Sequence, residues 1–307
     1  MDGIINVLKP PGMTSHDVVA YLRRLLQTKT IGHTGTLDPS VPGVLPVCMG
    51  KATRMAEFVT AGGKNYRVEI TFGITTDSQD SFGKVVTQRP VDFSAQDALN
   101  VLPAFTGKIK QTPPMVSAVK VGGKKLYELA RQGLEIERPA REVVIAQITP
   151  IEVNWQGDYP TIMFDVVCSK GTYMRTLCAD WGDSLGCGAH MSFLLRTRSG
   201  PFDLADAWTL EEIAAAVTRG TSDFLQPPDR GADDLPRLVV AGHRVKALLN
   251  GLSLAAHDYY TADVKQDQAA SWVRLYDQQG QFLALGLRDD AGAIKPKKVF
   301  VASSQIF

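Results

Sequence analysis

The residues from Ile31 to Arg54 read IGHTGTLDPSVPGVLPVCMGKATR, and one acidic side chain among them, Asp38, stands where an acid could do chemistry. It precedes Pro39, lies after Gly32 and Gly35, and is followed by Pro42, Gly43 and Pro46. Prolines without an N–H donor exclude a helix here, and glycines without a Cβ let the backbone approach a neighbour or a ligand closely. The physical reading is a rigid loop that presents one carboxylate, a group able to act as a covalent nucleophile or to stabilise developing positive charge. The dipeptide alone favours the plainer reading, an Asp-Pro turn whose carboxylate caps its own backbone. Other chemistries have less support. Cys48, Cys168, Cys178 and Cys187 form no C-x-x-C pair, and they read as buried free thiols. His16, His33, His190, His243 and His257 form no H-x-x-x-H or H-E-x-x-H arrangement, so no protein-built metal site is expected. Neither G-x-G-x-x-G nor G-x-x-x-x-G-K-S/T occurs, which removes the main sequence support for a nucleotide cofactor.

The elements that must position Asp38 are mixed. Residues 65–73, NYRVEITFG, alternate apolar and polar side chains in the period of a half-buried strand, and residues 161–169, TIMFDVVCS, do so more richly. Helices are predicted from Ser15 with a serine cap, from Thr172 to Gly186, and from Thr209, where a threonine cap and two glutamates suit the positive helix end. These elements lack the strict strand-helix-strand cadence of a doubly wound sheet, so the expected class is mixed α/β, of the α+β kind. QPPDRGADDLP, residues 226–236, interrupts every periodicity, and the chain is divided there into 1–230 and 231–307. The tail reads as a small all-β unit, with a hairpin about Asp277-Gln278-Gln279-Gly280 and a further strand in KPKKVFVA.

Composition sets the outer bounds. The 307 residues are 44% hydrophobic and 21% charged, with 33 Lys+Arg against 32 Asp+Glu, inside the range of ordinary globular proteins and against a disordered or polybasic chain. No apolar run reaches the roughly 18–20 residues of a membrane-spanning helix, and the amino-terminal residues lack a signal-peptide pattern, so a cytoplasmic protein without membrane attachment is expected. Charge singles out one segment. From Lys108 to Arg141 eight basic residues face three glutamates, which suits either a solvated surface insertion or a lobe that faces a polyanion.

The string around Asp38 resembles, nearly letter for letter, the catalytic motif of the bacterial tRNA pseudouridine-55 synthase family, TruB. Further marks follow in the family's order: NVLKPPGMTS at residues 6–15, KNYRV at 64–68, TTDSQDSFG at 75–83, KLYELARQG at 125–133, CSKGTYMRTL at 168–177, LGCGAHM at 185–191 and LLRTRSGPF at 194–202. The resemblance implies a catalytic domain over residues 1–230 with a central mixed, largely antiparallel sheet, and a thumb insertion over about 108–141 that closes over RNA. It implies a PUA-like RNA-binding barrel over 231–307, a unit that FLALG at 282–286 and the KPKK end at 295–298 resemble.

By the same resemblance, the reaction breaks the bond from C1′ to N1 of uridine 55 in the T-loop of tRNA and remakes it from C1′ to C5. Nothing is oxidised and no group is donated, so no cofactor is expected. Asp38 matches the essential aspartate, Tyr66 the tyrosine that stacks on the base and moves a proton, and Arg175 the arginine that pairs with the aspartate. Tyr173 and Leu194 match apolar residues around the flipped base, and His33 the residue that fills the space the base leaves. Lys9 belongs to the K-P-x-G motif beside the site, and Lys120, Lys124 and Lys125 would hold RNA from the thumb. The implied partner is the T-arm stem-loop of tRNA, with no obligatory protein partner and a monomeric enzyme. Two alternatives stay open: a related synthase directed to another RNA by a guide, and a tRNA-binding or tRNA-folding protein without turnover.

Overall fold

Runs rich in Val, Ile, Leu and Phe dominate the architecture as strands. The computed structural model describes residues 1–115, 120–121, 124–125, 134, 136–261 and 271–301. It opens with β1 (Gly3–Lys9), α1 (Ser15–Leu25), β2 (Ile31–His33), β3 (Gly43–Met49), α2 (Ala56–Ala61) and β4 (Lys64–Phe72). A hairpin of β5 (Ile74–Thr76) and β6 (Val85–Gln88) is followed by α3 (Ala95–Asn100) and β7 (Gly107–Gln111). Next come the short pair β8 (Lys120–Val121) and β9 (Lys124–Lys125), then β10 (Arg141–Asn154), β11 (Thr161–Cys168) and α4 (Met174–Ser184). β12 (Ala189–Ser199), β13 (Phe202–Asp203), α5 (Leu210–Thr218) and β14 (Leu225–Gln226) precede residues 227–236. Beyond them lie β15 (Arg237–Val240), α6 (Gly242–Leu249), β16 (Tyr259–Thr261), β17 (Ser271–Tyr276), β18 (Phe282–Arg288) and β19 (Ile294–Val299).

One ten-stranded sheet has the order β14-β1-β3-β12-β4-β11-β10-β7, with β2 attached to β3 and β13 to β12. Its pairings are antiparallel except the short parallel pairing of β12 with β3, where Arg196 faces Gly43. The two central strands, β4 and β12, set Tyr66 opposite Arg196 and Val68 opposite Leu194. Val68, Ile70 and Phe72 alternate into a core that α4 covers with Leu177, Cys178 and Trp181. The Trp181 ring lies edge-on to Phe164 and Phe72 at 5.3 and 5.6 Å, the favoured arrangement of aromatic quadrupoles. The mixed α/β class is thus observed, with one large mixed sheet and a separate five-stranded sheet, β16-β15-β17-β18-β19.

Three expectations shift in the folded chain. The cap of α1 is Thr14 and not Ser15: the Thr14 hydroxyl accepts from the Asp17 N–H while the Asp17 carboxylate accepts from the Thr14 N–H. The helix expected from Thr172 begins at Met174, because Tyr173 is still extended and serves as its cap residue. In the tail read as all-β stands the helix α6, whose Val245 and Leu248 are spaced to bury one face among the strands. The third helix is capped by Thr209 with Glu212 in a reciprocal box, as the sequence predicts. All four cysteines are free and buried. No helix among the described residues is long and apolar enough to cross a membrane.

Candidate active site

The loop between β2 and β3 carries Asp38, and several carbonyls of that loop are held from outside. The Thr60 hydroxyl donates to the Thr34 carbonyl at 2.8 Å, and Arg196 donates through Nη1 to Thr36 at 3.3 Å and through Nε to Val44 at 2.7 Å. Ser15, relieved of capping duty, accepts the Leu37 N–H on its hydroxyl at 3.0 Å. The carbonyl of Pro39 accepts both the Gly12 N–H, at 2.8 Å, and the Lys9 ammonium, at 3.0 Å. Gly43, which ends the loop, has φ +130°, and a Cβ there would lie 2.4 Å from the Arg196 carbonyl oxygen, so only glycine lets β3 meet β12. A proline- and glycine-rich sequence with these external ties gives a loop with one conformation.

The Asp38 carboxylate faces a guanidinium. Arg175 Nη2 lies 3.1 Å from Asp38 Oδ2, and Arg175 Nη1 lies 3.7 Å from Asp80 Oδ2 and donates to the Ser78 carbonyl at 3.3 Å. The arginine side chain is 6% exposed whereas that of Asp38 is 42% exposed, so the cation is sequestered and the carboxylate keeps an open side. Asp80 is itself fixed, accepting the Phe82 N–H at 3.1 Å and the Ser78 hydroxyl at 2.6 Å. Its loop is tied to β12 by reciprocal bonds of Gln79 and Ser81 with Met191, and Gln79 takes a left-handed φ of +63° there. A buried arginine between two carboxylates orients both.

Asp38, Tyr66, Tyr173, Arg175, Leu194 and Arg196 line one cavity of about 250 Å³. Tyr173 is positioned by the buried Gln111, which exchanges two hydrogen bonds with its backbone, at 2.9 and 3.2 Å. Burial pushes the Tyr66 hydroxyl above the usual tyrosine range, the nearby Arg196 opposing that shift. Burial also pushes Lys64, on the cavity wall, down to about 8. Its ammonium donates to the carbonyls of Gly62 and Val59 at 2.9 and 3.3 Å.

Five of the residues singled out from sequence, Asp38, Tyr66, Arg175, Tyr173 and Leu194, therefore meet at one cavity. Lys9, expected among the substrate-binding residues, does not line it. Its ammonium is fully buried and donates to the carbonyls of Pro10, Met13 and Pro39, which makes it a clamp on the Asp38 loop. His33 stands beside the cavity on β2, half-buried, with its Nδ1 buried and unpartnered. Lys120, Lys124 and Lys125 fall in β8 and β9, and their side chains lie outside the described residues. Sequence reading assigned no role to Asp80, Gln111, Lys64 or Arg196. Asp80, Lys64 and Arg196 stand inside the quoted motifs, but a lone charged residue in a loop or strand reads as a solvated one until tertiary packing buries it. Among the described residues no cluster of three or more His, Cys, Asp or Glu is placed to hold a metal ion.

The chain matches three family descriptions in succession: TruB family pseudouridylate synthase, N-terminal domain, over residues 23–174; tRNA pseudouridylate synthase B C-terminal domain over 175–231; and pseudouridine synthase II TruB, C-terminal, over 236–300. The protein named tRNA pseudouridine synthase B of Moorella thermoacetica is 49% identical over 302 residues, 97% of this chain and 98% of the relative. Its namesakes in Symbiobacterium thermophilum and Bacillus licheniformis are 54% and 42% identical, over 83% and 99% of this chain and 84% and 99% of theirs. Among solved structures, a chain of an H/ACA RNP bound to a substrate RNA containing 2'-deoxyuridine aligns with a TM-score of 0.75 at 27% identity, covering 98% of this chain and 86% of that one. A chain of a Cbf5-Nop10-Gar1 complex aligns with a TM-score of 0.74 at 29% identity, with the same coverage. A mixed sheet with these relatives defines the class: the protein is a pseudouridine synthase, an isomerase. Within that class the chain belongs to the TruB family.

Proposed function

We propose that this enzyme isomerises uridine in tRNA, at position 55 of the T-loop, and that the cavity around Asp38 is where it does so. The relatives that align over nearly the whole chain are named for tRNA, which supports the substrate class. The single observation that carries the mechanism is the Asp38–Arg175 pair at 3.1 Å, with the carboxylate open to the cavity and the cation closed off. As the C1′–N1 bond breaks, positive charge develops at C1′, and an anionic Asp38 meets it as a nucleophile or through space. The base turns, C5 bonds to C1′, N1 takes up a proton, and the C5 hydrogen leaves to solvent. Tyr66 stacks on the base and carries a proton, and Tyr173 and Leu194 exclude water around it.

A base stacked inside a folded T-loop must first be extruded, at a cost of a few kcal/mol supplied by contacts elsewhere on the RNA. His33 fills the gap left in the loop. Residues 108–141 act as the RNA clamp. Lys108 and Lys110 alternate with Ile109 so that both are exposed. Residues 231–307, as a PUA-like unit, add contacts to the rest of the tRNA. The enzyme acts in the cytoplasm as a monomer, without a guide RNA or obligatory protein partner. The guide-directed alternative has the fold-level similarity to ribonucleoprotein chains in its favour, but at 27% and 29% identity against 42–54% for the relatives named for tRNA.

Purified protein given tRNA labelled with tritium at C5 of its uridines tests the reading. One equivalent of tritium per tRNA is expected in solvent, and none when position 55 is cytidine. Release that persists from the cytidine transcript would overturn the assigned position, and no release from either would overturn the activity on tRNA.

A further inference from the structure

One buried cation of the cavity has no part in the reaction so far described. Arg196 is 2% exposed, and among the described residues no carboxylate pairs with it. Its Nε and Nη1 hold the Asp38 loop, but Nη2 is buried without a hydrogen-bond partner. An uncompensated buried cation with a free N–H is unfavourable, and such groups concentrate where a site must act on a charge that appears only in the reaction. The register of β12 on β4 sets Arg196 directly across from Tyr66, so the two side chains are same-face cross-strand neighbours, and both line the cavity with Asp38.

The Tyr66 hydroxyl is the only tyrosine hydroxyl that the proposed reaction uses, and burial holds it protonated. The charged and titratable groups around it come from every neighbouring element: Arg196 from β12, Asp38 from the loop, Cys168 from β11, Lys64 on its own strand, and Arg175 and Lys170 on the cavity wall. Arg196 favours ionisation of that hydroxyl, whereas Asp38 and Cys168 oppose it. Arg175 is already committed to two carboxylates and Lys64 to two carbonyls.

We propose that Arg196 is the positioning residue that makes Tyr66 a proton acceptor, its unpartnered Nη2 donating to the Tyr66 oxygen and its charge compensating the phenolate. The inference rests on the synthase reading of the cavity. The Tyr66 proton passes to water. After C5 has bonded to C1′, the phenolate takes the C5 proton, the C–H electron pair returns to the ring, N1 gains a proton from water, and the phenol exchanges with solvent.

Single-turnover tritium release at saturating RNA, followed from neutral to alkaline pH, tests it. Arg196→Gln is expected to slow release by about 10²-fold, the loss typical of one preorganised donor. It should also move the rising limb of the pH profile upward, so that alkali restores part of the rate. Arg196→Lys, which keeps the charge, retains a limb near that of the wild type. Because the arginine acts through the tyrosine besides tying the Asp38 loop, the loss in Tyr66→Phe combined with Arg196→Gln is smaller than the product of the two single losses. A slowed Arg196→Gln whose limb does not move, or losses that multiply in the double variant, would make Arg196 a structural residue only and overturn the proposal. If Arg196→Gln does not fold, the pair Arg196→Lys and Tyr66→Phe/Arg196→Lys carries the same comparison. Failure of the wild type to release tritium would instead count against the synthase reading beneath it.

Discussion

At the scale of single residues the site is a cationic wall with one usable anion. Lys9, Lys64 and Arg196 are buried around the loop and cavity, and Arg175 screens Asp38 from behind while leaving its open side to substrate. Such a wall opposes folding wherever a buried ammonium must stay charged. Burial holds Lys9 and Lys64 at about 8 against an ordinary 10.5. Between those values the unfolded chain binds more protons than the folded one, so the lysine share of stability rises with pH across that window and is lowest below about 8. The buried thiols act oppositely at alkaline pH, with Cys48 pushed up to about 12 and Cys168 to about 11, so the lysine share must be read as a difference. Urea unfolding at about pH 7.5 and about pH 10 should show Lys64→Met gaining less, or losing more, than the wild type between the two conditions. Equal changes in both proteins would mean that Lys64 keeps its ordinary affinity for protons.

At the scale of elements, the strands that hold the site were legible where side chains alternate. The reading of residues 65–73 and 161–169 matches β4 and β11 to within a residue at each end, because period-two burial is written locally. The family motifs placed Asp38, Tyr66, Tyr173, Arg175 and Leu194, and all five line the cavity. What stayed illegible depends on tertiary context: that Ser15 would bond the Asp38 loop, that Lys9 would face carbonyls, and that Arg196 would be buried. Gly43 joins the two kinds of information, since the sequence shows the glycine and only the meeting of β3 with β12 shows why it is one. Gly43→Ala places a Cβ against the Arg196 backbone and strains φ, so a loss of about 1–3 kcal/mol of stability is expected, with slower turnover because the Asp38 loop shifts. Thermal melts and single-turnover rates check it, and an unchanged melting temperature would mean that the strands part without cost. For the basic segment, neutralising Lys120, Lys124 and Lys125 together should weaken tRNA binding and flatten its log–log salt slope by about 0.7–0.9 for each phosphate the protein ceases to neutralise. An unchanged slope would make these lysines solvated surface residues.

At the scale of the whole molecule, the segment between the sheets is part of a core. Gly231 and Ala232 are buried, and Leu285 of the second sheet and Phe300 just after it pack in one apolar cluster with Ile4 and Val44 of the first sheet, Met55 just before α2 and Val59 within it. Phe58 meets Trp272 edge-on at 5.0 Å, and the Lys298 ammonium reaches the Arg54 carbonyl at 2.7 Å. A chain ending at Asp234 keeps Asp38, Tyr66 and Arg175 but uncovers that cluster, so it should melt below the full-length protein, bind a hydrophobic dye, and still modify a T-arm stem-loop below its own melting temperature. An unchanged melting temperature would show that the shared core contributes nothing. The central claim, that the carboxylate of Asp38 performs the isomerisation, is tested most directly by single-turnover tritium release from C5-labelled tRNA with Asp38→Asn, alongside measured tRNA affinity. The amide keeps the shape and loses the negative charge, so the account predicts affinity within a few-fold of the wild type and no detectable release. Substantial release by Asp38→Asn would contradict it.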